Sequence, residues 1–348
     1  MLYVRPSPQA PPTMNTMPAS APARRGPLTF NAIIVTSAIT LTVSVLIIVT
    51  GGIVRVTGSG LGCPTWPRCT TDSLSATPEL GIHGIIEYGN RLLTGVLSFT
   101  VVALILAVLL QRHTPPRLIA RAAWAQLGLV LVNAVVGGIT VLTELNPWIV
   151  AAHLVAAFGL LTTTTITWHR VRDHQRIQQG ERLASTAQHR GLAWSTLIAT
   201  AVLVLLGTLV TGSGPHAGDS AEIARMPFDW VVITWVHGLA AVVTSVLATW
   251  LALALRASAS GSVASTRAWL FVIALGAQAM IGIVQSLLSL PSGLVVLHLL
   301  GAALVWTGAV RLVLDTTATP GTPPLYNQGE GPATTNASWR TVGASPTR

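Results

Sequence analysis

Eight stretches of this chain are each long and apolar enough to cross a lipid bilayer, and this restricts the fold more than any other feature. They cover roughly residues 30–53, 82–111, 117–142, 148–168, 191–212, 228–255, 268–290 and 292–314. In hydrocarbon every backbone N–H and C=O must find its partner within the structure, and a helix needs about 20 apolar residues to span a core of about 30 Å. Barrel strands would be about 10 residues long and strictly alternating, a pattern this chain lacks. Only 9% of the residues are charged, against about 25% in a soluble domain, so a water-facing surface could not be clothed. The expected fold class is an all-α polytopic membrane protein with eight transmembrane helices.

All twenty basic residues are arginine. With the N-terminus placed in the cytoplasm, sixteen of them fall on the inner side: Arg5, Arg24, Arg25, Arg112, Arg117, Arg121, Arg170, Arg172, Arg176, Arg182, Arg190, Arg256, Arg267, Arg311, Arg340 and Arg348. Arg55, Arg68 and Arg225 lie outside, and Arg91 sits about two turns into the second helix. The positive-inside rule then predicts a cell-membrane protein with both termini cytoplasmic. The net charge of +9 reads as topology plus attraction to anionic membrane lipids, not as nucleic-acid binding. Residues 1–29, rich in Pro, Ala and Ser, lack a signal-peptide h-region and cleavage site, so the first helix is expected to be an uncleaved anchor. The tails 1–29 and 315–348 have disordered-type composition.

The polar, basic segment 169–190 reads as a cytoplasmic linker dividing the helices into bundles at 30–168 and 191–314. "VTGSG" at Val56–Gly60 recurs at Val210–Gly214, each time at the end of the first helix of a half. With the matching helix order, this predicts a duplicated four-helix unit in parallel topology, hence two pseudo-symmetric four-helix bundles. The small residues serve either as a flexible exit or to let helix ends and a planar ligand approach closely.

Among nine histidines, His169, His174 and His189 fall in the inner loop, His113 in an inner turn and His216 in an outer loop; these read as ordinary solvated residues. His153, His237 and His298 lie on even-numbered helices, about 8–14 Å below the outer surface at about 1.5 Å per residue. Intramembrane polar groups are costly and usually functional. Two imidazoles facing across a four-helix bundle suit the axial positions of a heme iron, whereas zinc would want further close ligands. His237 and His298 therefore read as an axial pair for a heme in the second bundle.

The first half departs from this pattern. Counted from the inner end, Asn90 matches His237 in depth; counted from the VTGSG motif, His83 does, since Gly60–His83 and Gly214–His237 both span 23 residues. Depth is the better guide because outer loops vary freely in length. His83, Glu87 and Asn90 are spaced by four and three, so they share one helical face. Glu87 is either a structural ion pair with Arg91 at i+4 or a proton carrier and stabiliser of positive charge beside a bound iron.

"GGIVRVTGSGLGCPTWPRC", "IEYGNRLLTGVL", "VNAVVGGITVL", "AAHLVAAFGLL", "WVHGLAAVV" and "VVLHLLGAALVW" together resemble the heme A synthase family, over about residues 30–314. The resemblance implies a heme b site at His237 and His298, and a substrate site for heme O in the first bundle with His153 as iron ligand and Glu87 as catalytic residue. It implies oxidation of the C8 methyl group of heme O to a formyl group by successive hydroxylations and loss of water, supplying heme A to terminal oxidases. The second histidine usual in the first bundle falls on Asn90, a poor heme ligand; the iron is then held by His153 alone, or by His83 as well. Arg91 joins this substrate group. Cys63 and Cys69, with five residues between them on the oxidising face, resemble the cysteine pair of one bacterial branch and are expected to form a disulfide, either a staple on a lid or a redox-active pair. Arg55 and Arg68 are candidates for propionate contacts or for interfacial anchoring. An electron donor is required, and heme O synthase and oxidase assembly proteins are candidate partners. The rivals are a non-catalytic membrane cytochrome b, which leaves Glu87 without a task, and a transporter, which would hold no heme.

Overall fold

A computed structural model describes residues 28–111, 115–179, 186–216, 218–219, 223–259 and 262–317. Residues 1–27 and 318–348 of the expected tails, His113, and residues 180–185 of the expected linker lie outside the described residues. Within them are eight long helices and no β-strand: α1 (Phe30–Val56), α2 (Gly81–Leu109), α3 (Arg117–Leu142), α4 (Pro147–Gln178), α5 (Arg190–Ser213), α6 (Trp230–Ser258), α7 (Val263–Leu287) and α8 (Ser292–Thr317). All eight are long and apolar enough to cross a membrane.

Neighbours in sequence pack against one another around a square, α1–α2–α3–α4 and back to α1, then α5–α6–α7–α8 and back to α5. In each square the second and fourth helices are diagonal and make no direct backbone approach. The bundles meet along α1–α8, α4–α8 and α4–α5, where Ile48, Phe158, Leu161 and Ala303 form a small core of their own. The Trp306 indole N–H donates to Thr162 Oγ1 across this seam at 2.8 Å.

The hairpins α3–α4 and α7–α8 are copies at the level of backbone. Glu144 and Leu145 turn the first with φ of 51° and 58°, and Ser289 and Leu290 turn the second with 59° and 60°. Leu145 N–H donates to Thr140 C=O at 2.8 Å, as Leu290 N–H does to Gln285 C=O at 2.7 Å. Each residue of the second set lies 145 positions after its counterpart. Two successive non-glycine residues in the left-handed region are unfavourable by about 1 kcal/mol or more each. Their recurrence shows a turn held by its surroundings, and it sets the depth at which α4 and α8 begin.

Packing is uneven along each bundle. At one end the cores are dense: Leu97, Val101, Leu104, Ile105, Ala107, Val108, Ile119, Ala123, Val130, Leu160 and Val171 in the first, and Leu251, Leu255, Ala268, Phe271, Leu275, Leu312 and Val313 in the second. Toward the other end no side chain is fully buried over residues 88–96, 131–137 and 148–157, or over 231–243, 276–287 and 293–302. Both bundles are thus close-packed at one end and open inside at the other, and the helical histidines His153, His237 and His298 lie in the open halves.

Three expectations are corrected. Helix α4 does not stop near residue 168 but runs to Gln178, so the first part of the expected linker is helical. His169, read as solvated, is 1% exposed, with Nε2 2.9 Å from Asp173 Oδ2 and 3.8 Å from Asp315 Oδ1. Asp315, assigned to the tail, belongs to α8, which ends at Thr317, and it pairs with Arg267 of α7.

Candidate functional site

Helix starts determine where the histidines sit. Asn146 caps α4, its side-chain oxygen accepting from Trp148 N–H at 3.0 Å, with Pro147 as the first helical residue. Asp229 caps α6 by accepting from Val232 N–H at 2.8 Å. Such caps satisfy otherwise orphaned amides and define the first turn. His153, His237 and His298 follow the starts of α4, α6 and α8 by about two turns, roughly 10 Å at 1.5 Å per residue.

His237 and His298, on diagonal helices, are brought together with ring centroids 6.4 Å apart. Two metal–nitrogen bonds of about 2.0–2.1 Å, plus about 1.1 Å from each nitrogen to its ring centre, call for about 6.3 Å. His237 Nδ1 faces the Leu203 carbonyl of α5 at 3.1 Å; donation there leaves Nε2 with the lone pair a metal needs. The buried Nδ1 of His298 has no hydrogen-bond partner. Glycines make room for both rings: a Cβ on Gly207 would stand 3.0 Å from His237 Cε1, and one on Gly282 3.3 Å from His298 Cε1. Among the described residues no third His, Cys, Asp or Glu completes a multi-ligand metal set. The pair fits a group that brings its own equatorial ligands, as a heme does.

The first bundle repeats half of this arrangement. A Cβ on Gly137 would lie 3.0 Å from His153 Cε1; Gly137 and His153 precede Gly282 and His298 by 145 residues each. His153 Nδ1 is likewise buried without a partner. Opposite, the α2 residue held by the last third of α1 is Asn90: Thr50 Oγ1 donates to its Oδ1 at 2.7 Å. Aligning the VTGSG motifs superposes Val49, next to Thr50, on Leu203, the partner of His237. Asn90 therefore meets α1 at the level where His237 meets α5. His83 is exposed and meets Ser59 Oγ at 3.0 Å through Nδ1, at the helix end, and is not brought against His153.

Glu87 is 5% exposed, and its side chain turns to the connection between α1 and α2. Oε2 accepts the Cys63 N–H at 2.6 Å. Oε1 accepts from Arg91 Nε at 3.0 Å and Nη2 at 2.5 Å. The remaining Arg91 hydrogens reach the carbonyls of Thr65 at 2.9 Å, Arg68 at 3.1 Å and Cys63 at 3.1 Å. The ion pair weighed from the i, i+4 spacing is thus formed, and it does more than neutralise charge: it ties a loop to α2. Cys63 and Cys69 are disulfide-bonded and both 0% exposed. Between them Trp66 lies flat on Gly138 of α3, where a Cβ would come within 2.5 Å of Cδ2. Gly62 abuts the His83 carbonyl of α2. Spacing alone could not reveal this: the loop spans α2 to α3 and covers the open end of the first bundle.

The two arginines part ways. Arg68 is exposed and donates from Nη1 to the Thr71 carbonyl within its own loop at 3.0 Å. Arg55 donates from Nη2 to the Thr211 carbonyl at the end of α5 at 2.8 Å, a favourable place for a cation at a helix C-terminus. Its buried Nε has no partner, so Arg55 retains donor capacity where the bundles meet. The VTGSG motif uses its glycines in two ways. Gly58 adopts φ of 67° in the turn after α1, whereas Gly212 is helical, and a Cβ there would meet Met226 Sδ at 2.6 Å. Gly60 donates its N–H to the Gly218 carbonyl at 2.8 Å, which is the close-approach role.

Comparison with known proteins agrees with this architecture. The profile of the COX15-CtaA family, described as cytochrome oxidase assembly protein, matches residues 35–310. The heme A synthase of Geobacillus thermodenitrificans is 32% identical over 149 residues, 41% of this chain and 45% of that protein. That of Rhodopseudomonas palustris is 29% identical over 335 residues, 80% and 89% of the two chains. That of Shewanella oneidensis is 26% identical over 217 residues, 58% and 62%. The chain thus spans less than half of the Geobacillus relative and most of the Rhodopseudomonas one. The open-ended bundles, the imidazole pair and the profile match together place this chain in the COX15-CtaA family of cytochrome oxidase assembly proteins.

Proposed function

We propose that this protein is a heme A synthase, a heme-dependent membrane oxidoreductase that takes heme O into the first bundle (30–168) and oxidises its C8 methyl group to a formyl group, for use by terminal oxidases. The observation that carries the reading is the imidazole pair across the second bundle together with its half-copy, His153, in the bundle that holds Glu87. The relatives named heme A synthase, and the resemblance of six sequence segments, support it.

In this reading His237 and His298 hold heme b in the second bundle (191–314), where it would supply one-electron transfer. Their glycine-backed rings and the Leu203 carbonyl fix imidazole orientation. In the first bundle His153 binds the substrate iron. The Cys63–Cys69 loop, with Trp66 on Gly138, excludes water from above, which strengthens electrostatic interactions beneath it. Glu87 holds negative charge beside the substrate, balanced by Arg91. A proton delivered to Oε2 competes with the Cys63 amide hydrogen for that oxygen, so proton uptake at Glu87 is coupled to movement of the loop. Arg55, with its spare Nε–H, is placed to meet a propionate; Arg68, turned into its own loop, reaches one only if that loop rearranges. The methyl carbon is hydroxylated twice and loses water, drawing on an oxidant and on electrons from a donor protein or quinol. The disulfide face is taken as external and both termini as cytoplasmic.

The test is heme extraction from cells co-producing this protein with a heme O supply. Heme A should appear with the wild type, and Glu87→Gln should stop at heme O or a hydroxylated intermediate. Normal heme A yield from Glu87→Gln would refute the catalytic assignment. Purified His298→Ala should lose the low-spin heme spectrum, and its retention would overturn the ligand assignment.

A further inference from the structure

The two bundles share a scaffold but not their ligands. Helices α2 and α6 are each diagonal to the helix bearing a glycine-backed histidine, His153 on α4 and His298 on α8. At the facing position α6 supplies an imidazole and α2 supplies Asn90. A carboxamide cannot replace imidazole as an axial ligand, since its nitrogen lone pair is delocalised into the carbonyl and the group is a hydrogen-bond donor there.

The orientation of that carboxamide is set. Thr50 Oγ1 donates to Asn90 Oδ1 at 2.7 Å, a shorter contact than its 3.3 Å approach to the Ile47 carbonyl. With Oδ1 engaged toward α1, the NH2 group is the free end, and among the described residues Nδ2 has no acceptor. It belongs to the open half of the bundle, where no side chain of residues 88–96, 131–137 or 148–157 is fully buried. Nδ2 is not fully buried, so it stays accessible to a group entering that half, and a donor in an apolar bundle gains from an acceptor placed there.

We propose that Asn90, oriented by Thr50, is a hydrogen-bonding residue of the first-bundle site, donating from Nδ2 to a small exogenous ligand on the face of the substrate iron opposite His153. The proposal rests on the reading of that bundle as the heme O site. It gives the two sites different tasks: the second is closed on both faces of its iron, and the first keeps one face open and equips it with a donor.

The experiment is a cyanide titration of the purified, detergent-solubilised full chain loaded with ferric heme O, followed by optical difference and electron paramagnetic resonance spectroscopy. Cyanide enters where one axial position is open, so the iron held by His237 and His298 provides an unchanging low-spin band that also reports correct folding. The wild type is expected to show a high-spin signal that cyanide converts to low-spin. Asn90→Leu should keep the high-spin signal and bind cyanide about fivefold more weakly, the equivalent of one neutral hydrogen bond of about 1 kcal/mol. Thr50→Val, which leaves Asn90 in place but unoriented, should lose about half of that factor on a logarithmic scale. Asn90→His should become low-spin and refuse cyanide. Equal cyanide affinity in wild type and Asn90→Leu, or a high-spin Asn90→His, would overturn the proposal while leaving the heme O site standing. A wild type with the low-spin band but no high-spin signal would overturn the heme O reading, and this proposal with it.

Discussion

Glu87→Gln should unlatch the disulfide loop, and the structure gives the size of the effect. The carboxylate accepts three hydrogen bonds, one from the Cys63 amide and two from Arg91, and Arg91 passes its other hydrogens to the carbonyls of Cys63, Thr65 and Arg68. Glutamine has the same shape but one acceptor oxygen and no charge. It can keep the Cys63 bond or an Arg91 bond, and the one it keeps is weaker. Charge-assisted hydrogen bonds contribute about 1.5–3 kcal/mol each, but the side chain of Arg91 is 21% exposed and water recovers part of the loss, so a local cost of about 2 kcal/mol is reasonable. At 1.4 kcal/mol per tenfold, the opening equilibrium of the loop rises about 30-fold. Hydrogen exchange of the full chain in nanodiscs, read on peptides covering 61–73, measures this directly. Amides of the α2 interior should not change, because the helix keeps its own bonds. Arg91→Lys, which keeps the charge but loses the fork, should open the loop by a smaller factor. Unchanged exchange over 61–73 in Glu87→Gln would show that the loop is held by its disulfide and Trp66 alone, and that the ion pair does not latch it.

Three further outcomes follow from the packing. Gly207→Ala places a methyl group at 3.0 Å from His237 Cε1, and Gly282→Ala at 3.3 Å from His298 Cε1; crowding of this kind costs about 1–3 kcal/mol, so both should release heme faster to an acceptor globin, Gly207→Ala more so. Asp315→Asn leaves Arg267 unpaired beside His169 in a site where the Asp315 side chain is 9% exposed; a loss of about 3–5 kcal/mol is expected in unfolding measurements, largely recovered by Arg267→Met with Asp315→Leu. Trp306→Phe removes the indole bond to Thr162 between the bundles and should lower stability by about 1 kcal/mol without altering the low-spin heme spectrum.

The sequence made the helices legible because hydrocarbon leaves a chain few choices. Every segment assigned from its apolar run is a helix, and α3 has the expected ends. It was less informative where helices leave the apolar layer. Hydropathy marks where the membrane ends, not where a helix does, and α4 continues for ten residues on the strength of local backbone bonds and the His169–Asp173 contact. That His169 is buried could not be read locally, since Asp315 lies on a helix 146 residues away. The site shows the same division. His237 and His298 were legible as a pair because their depths match and their helices run the same way. The latch of Glu87 and Arg91 onto Cys63, Thr65 and Arg68 was only half visible: i, i+4 spacing pointed to the ion pair, but the backbone carbonyls that complete it carry no side-chain signature.

The hairpin turns explain how the bundles can differ in ligands without differing in frame. Glu144–Leu145 and Ser289–Leu290 share a left-handed geometry and, of the two residues, only the leucine, and both turns are closed by backbone bonds to Thr140 and Gln285. With His153 and His298 placed by the turns and backed by Gly137 and Gly282, the fourth helices begin alike, although α4 has 32 residues and α8 has 26. The bundles also differ at the second helix and the connection before it, where the first bundle has Asn90 and a loop with a disulfide, a tryptophan and an ion-pair latch. A metal held on both sides exchanges electrons but admits no third ligand. In the function proposed above, holding it on one side, beneath the loop that Glu87 latches, would turn an electron-transfer frame into a site where a substrate can be altered.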